Sequence, residues 1–373
     1  MKIEQQTLLE LLCRGCWKGS SEPTVLQSTG KPNWPELLAM AEEQGVLGVI
    51  YDVLPSLVEE QRPPVSLLMP LSARVLRMEQ ANQLYRQQMY PVLRRIYEQG
   101  IPAVLFKGAA LASLYRQPLH RPVGDVDLLV SFDQMNRTLD VMKEFGLKLD
   151  DQYDPKHWTA QCAGLNWELH FRSMALFSRK LDRRYRILEA EETMPDMLLH
   201  ETIDGERVTL FSPLFGIIHL TAHIQHHLLV EQLTLRQVID WMLYLHHERT
   251  ALAIAEGTLE RMLRRLGLYR LYRALGAVAV TWLGANADSY AGISHLSPRE
   301  LRRGQYLLDI VIRGHLPFCA PSQQHVPGES KWSKIRQYLQ LCKRSLLLCR
   351  LFPREALATP WGYLRQSWKR NGL

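Results

Sequence analysis

Ile101-Pro102-Ala103-Val104-Leu105-Phe106-Lys107-Gly108 is followed, through Tyr115 and Arg121, by Gly124-Asp125-Val126-Asp127-Leu128-Leu129-Val130. The apolar runs read as two short strands, Ala103 to Phe106 and Asp125 to Val130, with a helix over Ala109 to Tyr115 between them. Side chains alternate across a strand, so Asp125 and Asp127 project from one face. Carboxylates set into an apolar strand need a partner or a cation, and two on one face suit a divalent metal. Lys107 and Gly108 stand at the start of the expected helix. Unpaired backbone N–H groups, a glycine that permits close approach and an ammonium charge together suit a phosphate there.

Further along, Asn166-Trp167-Glu168-Leu169-His170-Phe171-Arg172 also alternates. Glu168 and His170 share one face, Trp167, Leu169 and Phe171 the other, which predicts a half-buried strand over Leu165 to Arg172. The same reading gives a helix from Phe132 to Phe145 and strands from Gly146 to Leu149 and Arg207 to Phe211, the last after an Asp204-Gly205 turn.

The order Lys107-Gly108, Tyr115, Arg121 and Asp125-Val126-Asp127-Leu128-Leu129-Val130 resembles the bacterial uncharacterised nucleotidyltransferase family, a branch of the polymerase-beta-like nucleotidyltransferase superfamily. The wider superfamily opens the helix after its first strand with Gly-Ser. Lys107-Gly108 takes that place here, as is usual for this branch. The segment around Glu168 is similar to the family's acidic-hydrophobic-His segment. The resemblance implies that Asp125, Asp127 and Glu168 are catalytic and hold metal, and that Lys107, Gly108, Arg121 and Gly124 bind nucleotide. Mg2+ or Mn2+ is the implied cofactor, and a nucleoside triphosphate (NTP) the implied substrate. Three carboxylates can hold two ions roughly 3.5–4 Å apart, one activating an attacking hydroxyl and one neutralising the triphosphate as pyrophosphate leaves. Glu168 would ligate or act as base near the attacking oxygen.

The implied activity is transfer of a nucleoside monophosphate to a hydroxyl acceptor. The sequence leaves the acceptor open between a small molecule, a protein side chain and a nucleic-acid end. Other residue roles stay open too. Arg121 is either a phosphate contact or an ion-pair partner of Asp125, and Lys107 either a phosphate contact or a surface lysine at a strand end. Tyr115 packs its helix or lines a substrate pocket, and His170 bonds the backbone or lines that pocket. Two readings from other classes compete with catalysis: a nucleotide-binding or regulatory protein of the same fold without turnover, and a nucleic-acid-binding module.

His219, His223 and His227 recur every four residues and stripe one helical face. The absence of His-Glu-x-x-His argues against a zinc peptidase. In the resembling family a His-bearing helix precedes Leu-Arg-x-x-x-Asp, matched here by Leu235 to Asp240. His223 and Asp240 are therefore pocket candidates rather than a separate metal site.

The 373 residues, 46% hydrophobic and 22% charged, describe a globular chain of two or three domains. The N-terminus lacks a signal peptide's apolar core and Ala274 to Ala287 is too short to span a bilayer, so a cytoplasmic location is expected. Of the six cysteines only Cys13 and Cys16 are paired at metal spacing, and all six are read as reduced thiols. From Lys331 to Leu373 there are ten basic residues and one acid, Glu355, so the tail carries +9 of a chain whose total is +7. Leucines between those charges, with Trp332, Trp361 and Trp368, predict an amphipathic segment. Its two readings are contact with an anionic surface and packing on the chain's own core with a solvated basic face.

The fold class expected is α+β, with a small mixed-sheet core between helical regions. Residues 1–99 read as helical, 100–212 as the nucleotidyltransferase-like core, and 213–373 as helical with the basic tail. Polar loops are expected between Gly19 and Pro35 and from Pro317 to Ser330.

Overall fold

The computed structural model describes residues 1–17, 25–27, 31–150, 156–314, 316 and 331–370. Most of the loop expected between Gly19 and Pro35, all of that from Pro317 to Ser330, and Cys319 lie outside them. The chain runs α1 (Ile3–Cys16), α2 (Trp34–Glu43), α3 (Leu47–Tyr51), α4 (Val65–Glu98), β1 (Ala103–Leu105), α5 (Gly108–Ala112), β2 (Val126–Val130) and α6 (Met135–Lys143). There follow β3 (Lys148–Leu149), β4 (His157–Cys162), β5 (Leu165–His170), α7 (Arg179–Glu192), β6 (Leu199–Ile203), β7 (Glu206–Leu210), α8 (Pro213–Val230) and α9 (Leu235–His247). The last elements are α10 (Arg249–Ile254), α11 (Glu256–Leu266), α12 (Tyr269–Trp282), α13 (Pro298–Arg313), α14 (Lys331–Leu348) and α15 (Pro353–Arg370). The fold is α+β. It divides into two compact units, one of Met1–Ser173, Thr193–Ser212 and Thr281–Ala285, the other of Met174–Glu192, Pro213–Val280 and Asn286–Leu373.

In the first unit a mixed sheet has the order β1-β2-β5-β4-β3. β2 runs parallel to β5, and every other neighbouring pair is antiparallel. The parallel pair needs a crossover, which α6, β3 and β4 supply. One face of the sheet is apolar throughout: Ala103 and Leu105, Val126, Leu128 and Val130, Trp167 and Leu169, Ala160 and Cys162 belong to one buried cluster. Tyr85, Met89, Val92, Leu93 and Ile96 on α4, and Met135, Leu139 and Met142 on α6, belong to it too. Their three-and-four spacing makes an apolar stripe on each helix, which is what an amphipathic helix lays on a sheet.

Gly100, at φ +67°, ends α4 where a left-handed residue is required, and Pro102 follows, as the sequence predicts. The expected Asp204-Gly205 turn joins β6 to β7, both residues having positive φ. Arg86, Tyr90 and Arg94, one turn apart on α4, hold this hairpin: Arg86 and Tyr90 each reach Asp204 at 2.7 Å, and Arg94 pairs with Glu206.

The second unit is helical. α8 is buried nearly all round, and Trp241 of α9 meets Tyr272 of α12 edge-on at 5.2 Å. α14, α15 and the turn between them supply Leu348, Leu351, Phe352 and Ala356 to its core, each wholly buried. The buried Glu355 carboxylate accepts the Phe177 and Ser178 N–H groups, and the Arg344 guanidinium caps the last carbonyls of α8. The other face of the tail is open, with Trp332 81%, Leu339 62%, Leu346 66% and Trp361 75% exposed. Among the described residues no helix is long and apolar enough to cross a membrane, and Cys13, Cys16, Cys162, Cys342 and Cys349 are free thiols.

Candidate active site

The sheet face opposite the core carries the acids. Asp127 on β2 pairs with Glu168 on β5 in register, and Glu168 in turn stands opposite Thr159 on β4. Parallel neighbours in register point the same way, so the two carboxylates share that face. His170 and His157 are likewise opposed across β5 and β4, their rings 4.8 Å apart. His170 Nε2 lies 3.1 Å from Asp127 Oδ1 and 3.0 Å from Glu168 Oε2. His157 Nε2 lies 3.8 Å from Glu168 Oε1. The face is closed at one side by Phe106, whose ring meets His170 edge-on at 5.0 Å.

β2 begins one residue later than the sequence suggests. Asp125 precedes it and is exposed, whereas Asp127 is buried. The protein packed round the Asp125 carboxyl, then the Glu168 and Asp127 charges, push it up from its ordinary value, against a hydrogen bond from Asn166. Asp127 goes the other way. Burial alone would raise it, but Lys107 and the His170 hydrogen bond outweigh burial and hold it low. Glu168 is also held well below the carboxylate range, burial again being overcome by His170, Lys107 and His157. Three carboxylates that sense one another's charge form a hard oxygen set, the kind that fits Mg2+ or Mn2+.

Lys107 reaches across to this group, its Nζ 2.6 Å from Asp127 Oδ1. Its backbone is at φ +61°, ψ −148°, a region that glycine occupies and other residues rarely do. The helix that follows is five residues long and stops at Ala112 rather than Tyr115. So short a helix has little macrodipole, and the positive charge here is that of the lysine itself. Gly108, at φ +41°, lies under the Tyr85 hydroxyl, which donates to the Asp125 carbonyl at 3.3 Å. Arg121 is buried and donates to the Gly108 and Pro122 carbonyls at 3.2 Å, with its guanidinium 6.0 Å from the ring of the buried Tyr115. Gly124 is exposed, with open space where a side chain would stand.

The sequence model of a family described as uncharacterised nucleotidyltransferase matches residues 30–284. The chain belongs to that family. It is also similar to a solved structure, an antigenic nucleotidyltransferase-like protein from Paracoccidioides brasiliensis, at 17% identity over 51% of this chain and 91% of that one. The TM-score of 0.28 is too low for that likeness to carry an argument. Among curated proteins the chain has no match.

His157 and Asn166 are missing from the residues singled out in the sequence. Both lie on the polar face, at alternating positions with Thr159, Gln161, Glu168 and His170. The remaining pocket candidates, His223 and Asp240, belong to the second unit. There His223 Nε2 lies 3.0 Å from His227 Nε2, His227 pairs with Glu231 at 2.7 Å, and Asp240 is buried on α9. His219 of the same stripe meets the Tyr185 hydroxyl at 2.9 Å.

Proposed function

We propose that this protein is a metal-dependent nucleotidyltransferase that moves a nucleoside monophosphate from an NTP to a hydroxyl acceptor and releases pyrophosphate. The observation that carries the reading is the registered pair Asp127 and Glu168, with Asp125 at the strand start and Lys107 beside them. Asp125, Asp127 and Glu168 would hold Mg2+ or Mn2+, which when bound neutralises phosphate charge and makes a coordinated hydroxyl more acidic.

The protein's own groups have separate tasks. Lys107 brings an ammonium to the phosphates and, with the NTP bound, exchanges its Asp127 partner for a phosphate oxygen. Arg121, buried against the Gly108 carbonyl, holds the Lys107-Gly108 turn in its unusual conformation and so contributes to nucleotide binding. Gly124 leaves the approach to Asp125 open. Glu168, kept ionised by its neighbours, accepts the proton of the acceptor hydroxyl.

Calorimetric titration of the full chain with each NTP, in Mg2+ and then in Mn2+, tests this. Metal-dependent binding of at least one NTP, lost in Asp127→Asn, is the expected result. NTP affinity equal with and without metal, or equal in Asp127→Asn, overturns the reading.

A further inference from the structure

Two buried imidazoles stand beside the carboxylate set and face its acids. His157 and His170 face one another across β4 and β5, and a nitrogen from each lies with a Glu168 oxygen so that all three atoms are within 4.8 Å of one another. The three come from adjacent positions of one sheet rather than from loops, so their spacing is fixed by backbone pairing. His170 is fully buried and His157 nearly so.

The orientation of His170 is informative. Its Nδ1 lies 3.3 Å from the Arg172 carbonyl oxygen. A carbonyl only accepts, so Nδ1 carries a proton and donates. Nε2 is thereby directed at Glu168 and Asp127, where a cation held by those carboxylates can take its lone pair. A histidine whose far nitrogen is tied to a backbone carbonyl is the usual posture of a metal ligand. Two imidazoles and one carboxylate form a donor set that accommodates a borderline first-row ion with coordination positions left open.

We propose that His157, Glu168 and His170 form a nitrogen-bearing position for a first-row transition-metal dication, next to the all-oxygen position of Asp125 and Asp127. The inference rests on the catalytic reading above and adds to it that the two metal positions are unequal. Imidazole favours Mn2+, and more strongly Zn2+, over Mg2+, while carboxylates alone discriminate little. Glu168 belongs to both positions and is the residue through which they meet.

The test uses the full chain without nucleotide, titrated separately with Mg2+, Mn2+ and Zn2+. Wild type should bind Zn2+ and Mn2+ at least about tenfold more tightly than Mg2+. His157→Gln should weaken Zn2+ by at least about tenfold while leaving Mg2+ within about twofold. Because a variant can perturb the strand, a second readout uses wild type alone: pulsed electron paramagnetic resonance of the Mn2+-loaded protein should show coupling to a 14N nucleus of imidazole. Absence of that coupling, or equal loss of all three metals in His157→Gln, overturns the proposal. Failure of Mg2+–NTP binding with Zn2+ selectivity intact would sink the catalytic reading and leave this site standing.

Discussion

Lys107 Nζ lies 2.6 Å from Asp127 Oδ1, and the Lys107 backbone that puts it there is in a conformation suited to glycine. Charge and strain therefore sit on one residue. A non-glycine residue in this region costs on the order of 1–3 kcal/mol. Lys107→Ala and Lys107→Gly remove the same charge, but only glycine relieves the backbone. Both variants should lose triphosphate affinity more than monophosphate affinity, and Lys107→Gly should melt at a higher temperature than Lys107→Ala in calorimetry. Equal melting temperatures would show that the backbone stores no strain there.

Asp127→Asn tests the acids through pH. Asp127 and Glu168 are both held below the usual carboxylate range. A depressed carboxyl contributes stability above its unfolded value of about 4, and that contribution is lost as pH falls through the folded value. Wild type should therefore lose stability on acidification from about pH 4 downward, and Asp127→Asn should lose less. The variant should keep its far-ultraviolet circular dichroism at neutral pH. An acid limb of the same slope in both proteins would remove Asp127 from the linkage.

Much of this site is legible in the amino-acid order. β1, β2 and β5 carry continuous or cleanly alternating apolar runs, and Asp127, Glu168 and His170 are among their polar exceptions, gathered on one face of the sheet. β4 is harder to read because the apolar side of His157-Trp158-Thr159-Ala160-Gln161-Cys162 includes two small residues, Ala160 and Cys162, and so contrasts little with His157, Thr159 and Gln161 on the other. The turn that pairs it with β5 is disguised as well. Ala163 and Gly164 both have positive φ, the requirement of a two-residue hairpin turn, but alanine is a poor advertisement for it where Asn or Asp would be plain. Without that turn nothing local says that His157 faces His170. α5 ends early for a different reason. Pro118 and the turns around it leave Tyr115 to pack in a loop, although Ala109 to Ala112 are good helix formers.

His120 is a second pH-sensitive point in the first unit. Its Nδ1 lies 2.6 Å from Asp52 Oδ1 and its Nε2 2.6 Å from Glu79 Oε1. The Asp52 hydrogen bond raises its pKa most; burial opposes this and Glu79 adds to the rise. A raised histidine contributes stability that is full below its unfolded value of about 6.5 and is lost as pH rises through the folded value. The melting temperature of wild type should fall over that range, and His120→Asn should show a flatter profile. A wild-type profile with no decline above about pH 6.5 would count against the bridge.

The tail packs on its own core along one face and leaves another face exposed. Leu348, Leu351, Phe352 and Ala356 are core, so truncation before Lys331 should lower the melting temperature sharply and cannot isolate a surface function. Substitution of the exposed residues can. With +9 net charge along the segment, anionic vesicles are the fitting surface. Trp332→Ser with Trp361→Ser should reduce sedimentation with phosphatidylserine vesicles at low salt by about tenfold or more and leave the melting temperature unchanged. No wild-type sedimentation with such vesicles, or binding to nucleic acid instead, would end the lipid assignment.

The strand order β1-β2-β5-β4-β3 has a consequence for how the site comes into being. β5 is the last of these strands to leave the ribosome and the one that lies in the middle. Asp125 and Asp127 therefore wait for their third acid until β5 inserts between strands already synthesised. A slip of one residue on insertion would turn Glu168 and His170 into the apolar core and Trp167 out of it. Trp167 is wholly buried among Val126, Leu128 and Leu169, and its bulk makes that error prohibitively costly. An indole buried on the apolar side thus acts as the proofreader of the acids on the far side of the sheet.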